Sequence, residues 1–237
     1  MKIHAIVCTR SSDKRPNKHK LAKYFKRCGI ELHLLEDQNS IFDAYNETVQ
    51  NIQPEDSDII ILCHDDIEIL LDPFVFAEML VRELMPSDIG FVGPAGTTLL
   101  AEDCVWWDHQ RWQQGFHRGL VYHGDNLGSM DATWYGKPGQ VVCLDGLFLA
   151  AKGRTLKKIK MQRPKEFVGK WDFYDIYYTI QAHKKGLKNK AIPVMMIHHS
   201  MGELAGRDSW MKNRQAFSKM FTFPIHCTNG QFRREIT

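Results

Sequence analysis

Asp58-Ile59-Ile60-Ile61-Leu62-Cys63-His64-Asp65-Asp66-Ile67-Glu68 is the stretch on which the fold turns. An unbroken apolar run, rich in β-branched isoleucine, reads as a central strand covered on both faces, which is the habit of parallel sheets. The run then meets water abruptly at His64-Asp65-Asp66. Ligands of open parallel sheets gather at the carboxyl ends of the strands. Two adjacent carboxylates there, with a third at Glu68, suit a hard divalent cation that also grips phosphate oxygens. An acidic pair by itself is equally a strand that has simply reached solvent, so the neighbouring segments must decide.

Upstream, apolar runs and helical patterns alternate, the mark of an α/β sheet. Ile3–Thr9 reads as the first strand. Leu21, Tyr24, Phe25 and Cys28 recur at the spacing of one helix face, and Gly29 is placed to end that helix. Residues 31–35 form a second strand closing on Glu36 and Asp37. Ser40 can cap a helix whose buried stripe is Ile41, Tyr45, Val49 and Ile52. Downstream, Asp72-Pro73 opens another helix, with a capping carboxylate and proline in the first turn. A short strand covers residues 89–92.

From about 93 to 139 the periodicity is lost, and glycine, tryptophan, histidine and charged residues mix. A long irregular segment of this kind is usually functional or mobile. Its Trp106, Trp107, Trp112 and Trp134 lie among His109, Arg111, His117 and Arg118. Such rings either stack on sugars and bases, and close over a substrate, or anchor an irregular segment to the core. Regularity returns over 141–151. Asp172 is placed as the cap of a helix over 173–185 that stops at Gly186. Asp175 falls in that helix's first turn, where the dipole favours a carboxylate and where an ionised group can accept a proton from a hydroxyl. A last strand over 191–197 runs into His198-His199, and neutral imidazole is a common ligand of divalent metals. The tail beyond 202 has one weakly helical stretch.

The chain is 237 residues long with a formal charge of +3, which fits one domain and excludes nucleic-acid binding by bulk charge. None of the six cysteines forms a CxxC pair, and several lie inside apolar runs. This argues for reduced thiols and against structural zinc. The N-terminus lacks a signal-peptide core, and no apolar run approaches the roughly 18–20 residues of a membrane helix. A cytoplasmic protein with at most peripheral membrane contact is expected. Dinucleotide, Walker and nucleophile-elbow motifs are absent.

The order of these pieces resembles the family 2 glycosyltransferases of the GT-A fold over roughly residues 1–205. Val142-Cys143-Leu144-Asp145-Gly146-Leu147-Phe148-Leu149-Ala150-Ala151 looks like the strand of a small branch with a VDGxFLA pattern. Phe173-Tyr174-Asp175-Ile176-Tyr177 through Gly186 is similar to that branch's FYDxDxxxxARxxG helix. The resemblance implies a single α/β GT-A domain with a mostly parallel central sheet flanked by helices. Residues 1–100 would be the nucleotide-sugar-binding half, 101–205 the acceptor half and 206–237 a C-terminal tail.

It also implies roles. Thr9 and Arg10 would lie at the nucleotide, Glu36 or Asp37 at the base, and Asn46 near the donor pocket. His64-Asp65-Asp66 takes the place of the DxD motif, with Asp65 on the donor and Asp66 on the metal. Asp145 would stand between donor and acceptor, beside Trp171, Trp106 and Trp107 on the acceptor side. Asp175 matches the aspartate of the family's ED pair and would be the catalytic base. His198, or else His199, would complete a site for Mn2+ or Mg2+. The expected partners are a nucleoside diphosphate sugar, UDP- or dTDP-linked, and a glycan or other hydroxyl acceptor in glycan biosynthesis.

Three positions depart from the pattern: His64 replaces the first acid of DxD, Tyr174 the glutamate of ED, and Tyr177 a second aspartate. Two rival readings use the same residues: a metal-dependent phosphoesterase, and a non-catalytic binder of nucleotide sugars or glycans.

Overall fold

Residues 1–11, 17–124, 128–200 and 207–227 are described in a computed structural model of the chain. The first half follows the apolar pattern closely. Strand β1 (Ile3–Thr9), helix α1 (Asn17–Arg27), β2 (Glu31–Glu36), α2 (Ile41–Ile52) and β3 (Ile59–His64) succeed one another, then β4 (Ile67–Ile69), α3 (Pro73–Glu83) and β5 (Ile89–Gly93). Local chemistry fixes the helix ends. Ser40 caps α2 by accepting from the Asp43 amide, and Asp72 caps α3 through the amides of Phe74 and Val75. Gly29, at φ 68°, supplies the left-handed turn after α1.

The region from 93 to 139 corrects the expectation of an irregular loop. It holds β6 (Ala95–Thr97), β7 (Leu99–Leu100), the short α4 (His109–Gln113), and a long hairpin of β8 (His117–Gly124) and β9 (Met130–Gly136). The alternation that marks a strand is blurred there because bulky aromatics occupy both faces and glycines interrupt it. Residues 125–127 lie outside the described residues. Next come β10 (Gly139–Val141), β11 (Cys143–Leu144), β12 (Phe148–Lys152), α5 (Gly153–Leu156), α6 (Tyr174–Lys184), β13 (Lys188–Ala191), β14 (Met196–His198), α7 (Asp208–Met220) and β15 (Ile225–His226). The single strand expected over 191–197 is therefore two, parted where Pro193 offers no amide to a ladder.

The main sheet has the order β10-β13-β5-β12-β3-β1-β2. β1, β2 and β3 run parallel, β12 lies antiparallel between β3 and β5, and β13 is parallel to β5. Only β12 and β10 oppose the common direction. A second sheet, β11-β6-β8-β14-β4 with β9 beyond β8, covers the end where β3 finishes. Within the main sheet, Asn189 of β13 is fully buried. It accepts from the Phe91 amide and donates to the carbonyls of Val142 and Thr179, so one side chain joins β5, the 142 strand junction and α6. Helix α7 is no loose tail. Trp210 and Phe217 are buried, and Asn213 bonds both ways with Gly169 and donates to the Asp172 carbonyl.

Candidate active site

β3 ends at His64, and the turn Asp65-Asp66 leads directly into β4, which pairs antiparallel with β14 so that His198 faces Ile67. This pairing brings together residues more than a hundred positions apart. Asp66 Oδ1 stands 3.7 Å from His64 Nδ1 and 3.5 Å from His198 Nε2. One donor atom from each of these three residues lies within 4.8 Å of the other two. Two imidazole nitrogens and a carboxylate oxygen form a donor set suited to a first-row divalent cation.

His64 is oriented from behind. Its Nε2 lies 3.0 Å from the Tyr174 hydroxyl, which in turn donates to the Gly146 carbonyl at 2.7 Å. A carbonyl only accepts, and a hydroxyl has one hydrogen. Tyr174 must therefore spend its proton on Gly146 and accept from His64, which puts the His64 proton on Nε2. The Nδ1 lone pair is left facing Asp66. Burial pushes the His64 pKa down, keeping the ring neutral despite Asp66. The imidazole is thus held in the tautomer a metal ligand requires.

Gly146 also connects to the candidate base. Its amide donates to Asp175 Oδ2 at 3.0 Å, and Asp145 Oδ1 accepts from the Leu147 amide at 3.0 Å. A Cβ at position 146 would run into the Tyr174 hydroxyl, so only glycine fits. Burial raises the Asp175 pKa, the Asp145 charge adds to the rise, and backbone amides at Ile176 and Gly146 oppose it. The outcome is about 7, a value suited to a base working near neutrality.

On the β1–β2 side, Thr9 Oγ1 donates to Asp65 Oδ2 at 2.8 Å, and both residues are buried. Asp65 thus ties the end of β1 to the turn after β3. The Asp37 amide bonds the Thr9 carbonyl, and Asp37 Oδ1 accepts from the Ser11 amide. Glu36 pairs in register with Thr9, and Glu36, Asp37 and Arg10 are exposed at this same strand end.

Not every expected residue converges. Asn46 points away, lining a groove of about 450 Å³ between α2 and the 156–162 segment with Gln53 and Met161. Helix α2 starts at the strand ends and runs away from them, so its later turns face elsewhere. Trp106 is 3% exposed and packs on Trp107, His117 and Tyr135, which closes its ring to an acceptor and makes it an anchor. Trp107 and Trp171 are exposed, as is Trp134. His199 is turned from the Asp66 cluster and stands 3.6 Å from Glu68, leaving His198 as the histidine that joins it. Asp172 does not cap α6. Phe173 occupies the cap position at φ 70°, while the buried Asp172 accepts from Ser209 of α7.

Two features of this candidate site lie beyond the sequence pattern. The motif makes His64 a missing acid, although its place two residues from Asp66 at a strand end is a signal. Tyr174 as the buried bridge between His64 and Gly146 left no trace in local sequence.

The sequence pattern of a glycosyltransferase-like family matches residues 20–221. No curated protein matches the chain significantly. Among solved structures, GalNAc-T7 bound to UDP, GalNAc and Mn2+ is similar at TM-score 0.53 and 9% identity, covering 92% of this chain and 48% of that one. The chain therefore spans about half the length of that protein. A197 from STIV is similar at TM-score 0.44 and 16% identity over 84% of this chain and 83% of that chain. A glycosyltransferase involved in glycosylating the major capsid of PBCV-1 scores 0.36 at 9% identity, over 93% and 100%. The family match covers most of the length and the first structural likeness carries the fold, so this chain belongs to the glycosyltransferase-like family and has the GT-A fold.

Proposed function

We propose that this protein is an inverting glycosyltransferase that moves a sugar from a nucleoside diphosphate donor to an acceptor hydroxyl in glycan biosynthesis. The observation that carries the reading is the hydrogen-bonded path His64–Tyr174–Gly146–Asp175, which sets a three-donor cation site beside a carboxyl group of pKa about 7. GalNAc-T7, solved with UDP, GalNAc and Mn2+, shares the fold and is consistent with this use of it. The donor half is residues 1–100, the acceptor half 101–205, and residues 206–237 follow as a tail whose α7 packs on the 167–173 segment that leads into α6.

His64, Asp66 and His198 would hold the cation. The two imidazoles favour Mn2+ over Mg2+, which prefers oxygen and water. When bound, the cation supplies charge neutralisation to a diphosphate leaving group. Thr9, Arg10 and Asp65 lie where the nucleotide would rest, with Glu36 or Asp37 at the base of a UDP- or dTDP-sugar. Asp175 takes the acceptor proton as that oxygen attacks the anomeric carbon and the bond to the diphosphate breaks. Asp145 positions the reacting groups by bracing the Gly146 turn, with exposed Trp107 and Trp171 as platforms for a glycan. Inversion requires no enzyme nucleophile. The described cysteines are all free, and the compartment proposed for the protein is the cytoplasm. No described helix is long and apolar enough to cross a membrane.

Thermal unfolding with UDP, GDP, dTDP and CDP, each with and without Mn2+, tests the proposal. A ligand at a hundred times its dissociation constant adds about 2.7 kcal/mol of stability. A shift for one nucleotide that needs the metal and vanishes in Asp66→Ala is the expected result. A shift with metal alone, together with hydrolysis of phosphate esters, would replace the transferase by a phosphoesterase. Binding without transfer to any hydroxyl would leave a nucleotide-sugar binder.

A further inference from the structure

A second cluster of ligand-type side chains sits far from the site just described. β1 and β2 pair in parallel with His4 opposite Glu31 and Ile6 opposite His33. Glu31 and His33 are two apart on β2 and so share one face of the sheet. β2 is the end strand of the main sheet, with β1 as its neighbour. His4 lies five residues before Thr9 along β1, about 16 Å from the catalytic strand ends at ~3.3 Å per residue. No step of the proposed reaction uses these three residues.

Their donor atoms converge on one point. His4 Nδ1 is 3.2 Å from His33 Nε2 and 3.3 Å from Glu31 Oε2, and His33 Nε2 is 3.8 Å from Glu31 Oε1. A tetrahedral cation with ligand bonds of about 2.0–2.1 Å would set its donors about 3.3–3.4 Å apart. The separations from His4 Nδ1 to His33 Nε2 and to Glu31 Oε2 lie close to that value, and one donor atom from each of the three residues lies within 4.8 Å of the other two. Without a cation, the facing ring nitrogens share one hydrogen, and a tautomer shift in one ring frees both lone pairs at no cost in net charge. The side chain of His4 is only 6% exposed and fixes one ligand firmly, whereas that of Glu31 is 60% exposed and leaves a path from solvent. Two imidazoles and one carboxylate with an open fourth position are the ligand set of a zinc-class ion rather than of calcium or magnesium.

We propose that His4, Glu31 and His33 bind one divalent transition-metal ion of the zinc class, which clamps edge strand β2 to β1. The ion joins the end strand of the main sheet to its neighbour on one face of the sheet. Its role is to fasten the fold, and it is separate from the cation of the His64–Asp66–His198 site.

Calorimetric titration of zinc chloride into the full chain tests this, using wild type, His33→Gln, Asp66→Ala and the double variant. His33→Gln should remove one equivalent of zinc in both the wild-type and the Asp66→Ala background. It should also abolish the part of the zinc-induced rise in Tm that survives Asp66→Ala. Glu31→Gln, at a more exposed position, should weaken the same equivalent and guards against a folding defect in His33→Gln. Unchanged stoichiometry in both variants would overturn the proposal, as would an Asp66→Ala protein that binds no zinc. Neither result bears on nucleotide binding, so the outcome is independent of the transferase reading.

Discussion

Asp175→Asn should make the protein more stable while removing its turnover. The Asp175 carboxyl has a pKa near 7 in the folded chain against 3.8 for a free side chain, mainly because burial penalises its charge. Below about pH 4 the group is protonated whether the chain is folded or not. Between pH 4 and 7 the unfolded chain releases the proton and the folded one keeps it, so stability falls as pH rises. Above 7 the loss is constant. Three units at 1.36 kcal/mol each set a ceiling of about 4 kcal/mol. Asp175 is not wholly enclosed, and water entry and relaxation bring the expected figure to about 2 kcal/mol. Asparagine keeps an oxygen for the Gly146 amide and carries no charge. In a domain of this length about 2 kcal/mol corresponds to roughly 4–8 °C in Tm. Calorimetric unfolding at pH 4 and pH 8 should show a gap in favour of Asp175→Asn at pH 8 that closes at pH 4. Turnover should fall by at least about 10²–10⁴-fold. A variant less stable than wild type at pH 8, or a gap that does not change with pH, would refute the argument.

The same ionisation should appear in kinetics. In the proposed reaction, kcat/KM should rise with pH to a plateau beyond about 7, and Asp145→Asn should move the midpoint toward acid by removing the neighbouring charge; an unmoved midpoint would separate the two residues. Tyr174→Phe should release His64 from its tautomer, seen as a change in the His64 ring ¹⁵N shifts of the metal-free protein, and weaken Mn2+ binding by about 10–100-fold. Unchanged shifts and affinity would mean that the hydroxyl only fills space. Asn189→Ala takes the side-chain partner from the Phe91 amide and the Val142 carbonyl, and at about 1–3 kcal/mol for a buried unsatisfied group should cost roughly 2 kcal/mol or more in denaturant unfolding. A loss below about 1 kcal/mol would show that water replaces the side chain.

Sequence by itself determined the first half of the fold. The isoleucine run of β3, the caps Ser40 and Asp72, and the stop at Gly29 are local effects, since each depends on residues within a turn of one another. That is why they could be read without knowing what lies across the sheet. Asp66, Asp175 and His198 stand out through the family resemblance, because a carboxylate at a strand end or in a helix's first turn also has ordinary structural uses. The tertiary structure decided the rest. β14 pairing with β4 chose His198 over His199 and recruited His64, because ligand geometry depends on which strand lies beside which. Trp106 was turned inward by His117 and Tyr135, and Asp172 was drawn from its capping place to Ser209 on a helix that begins some thirty-six residues later. Asn46 was carried off by the direction of α2. Each of these outcomes rests on contacts between segments distant in sequence, and a local pattern holds no information about which distant side chain will arrive opposite it.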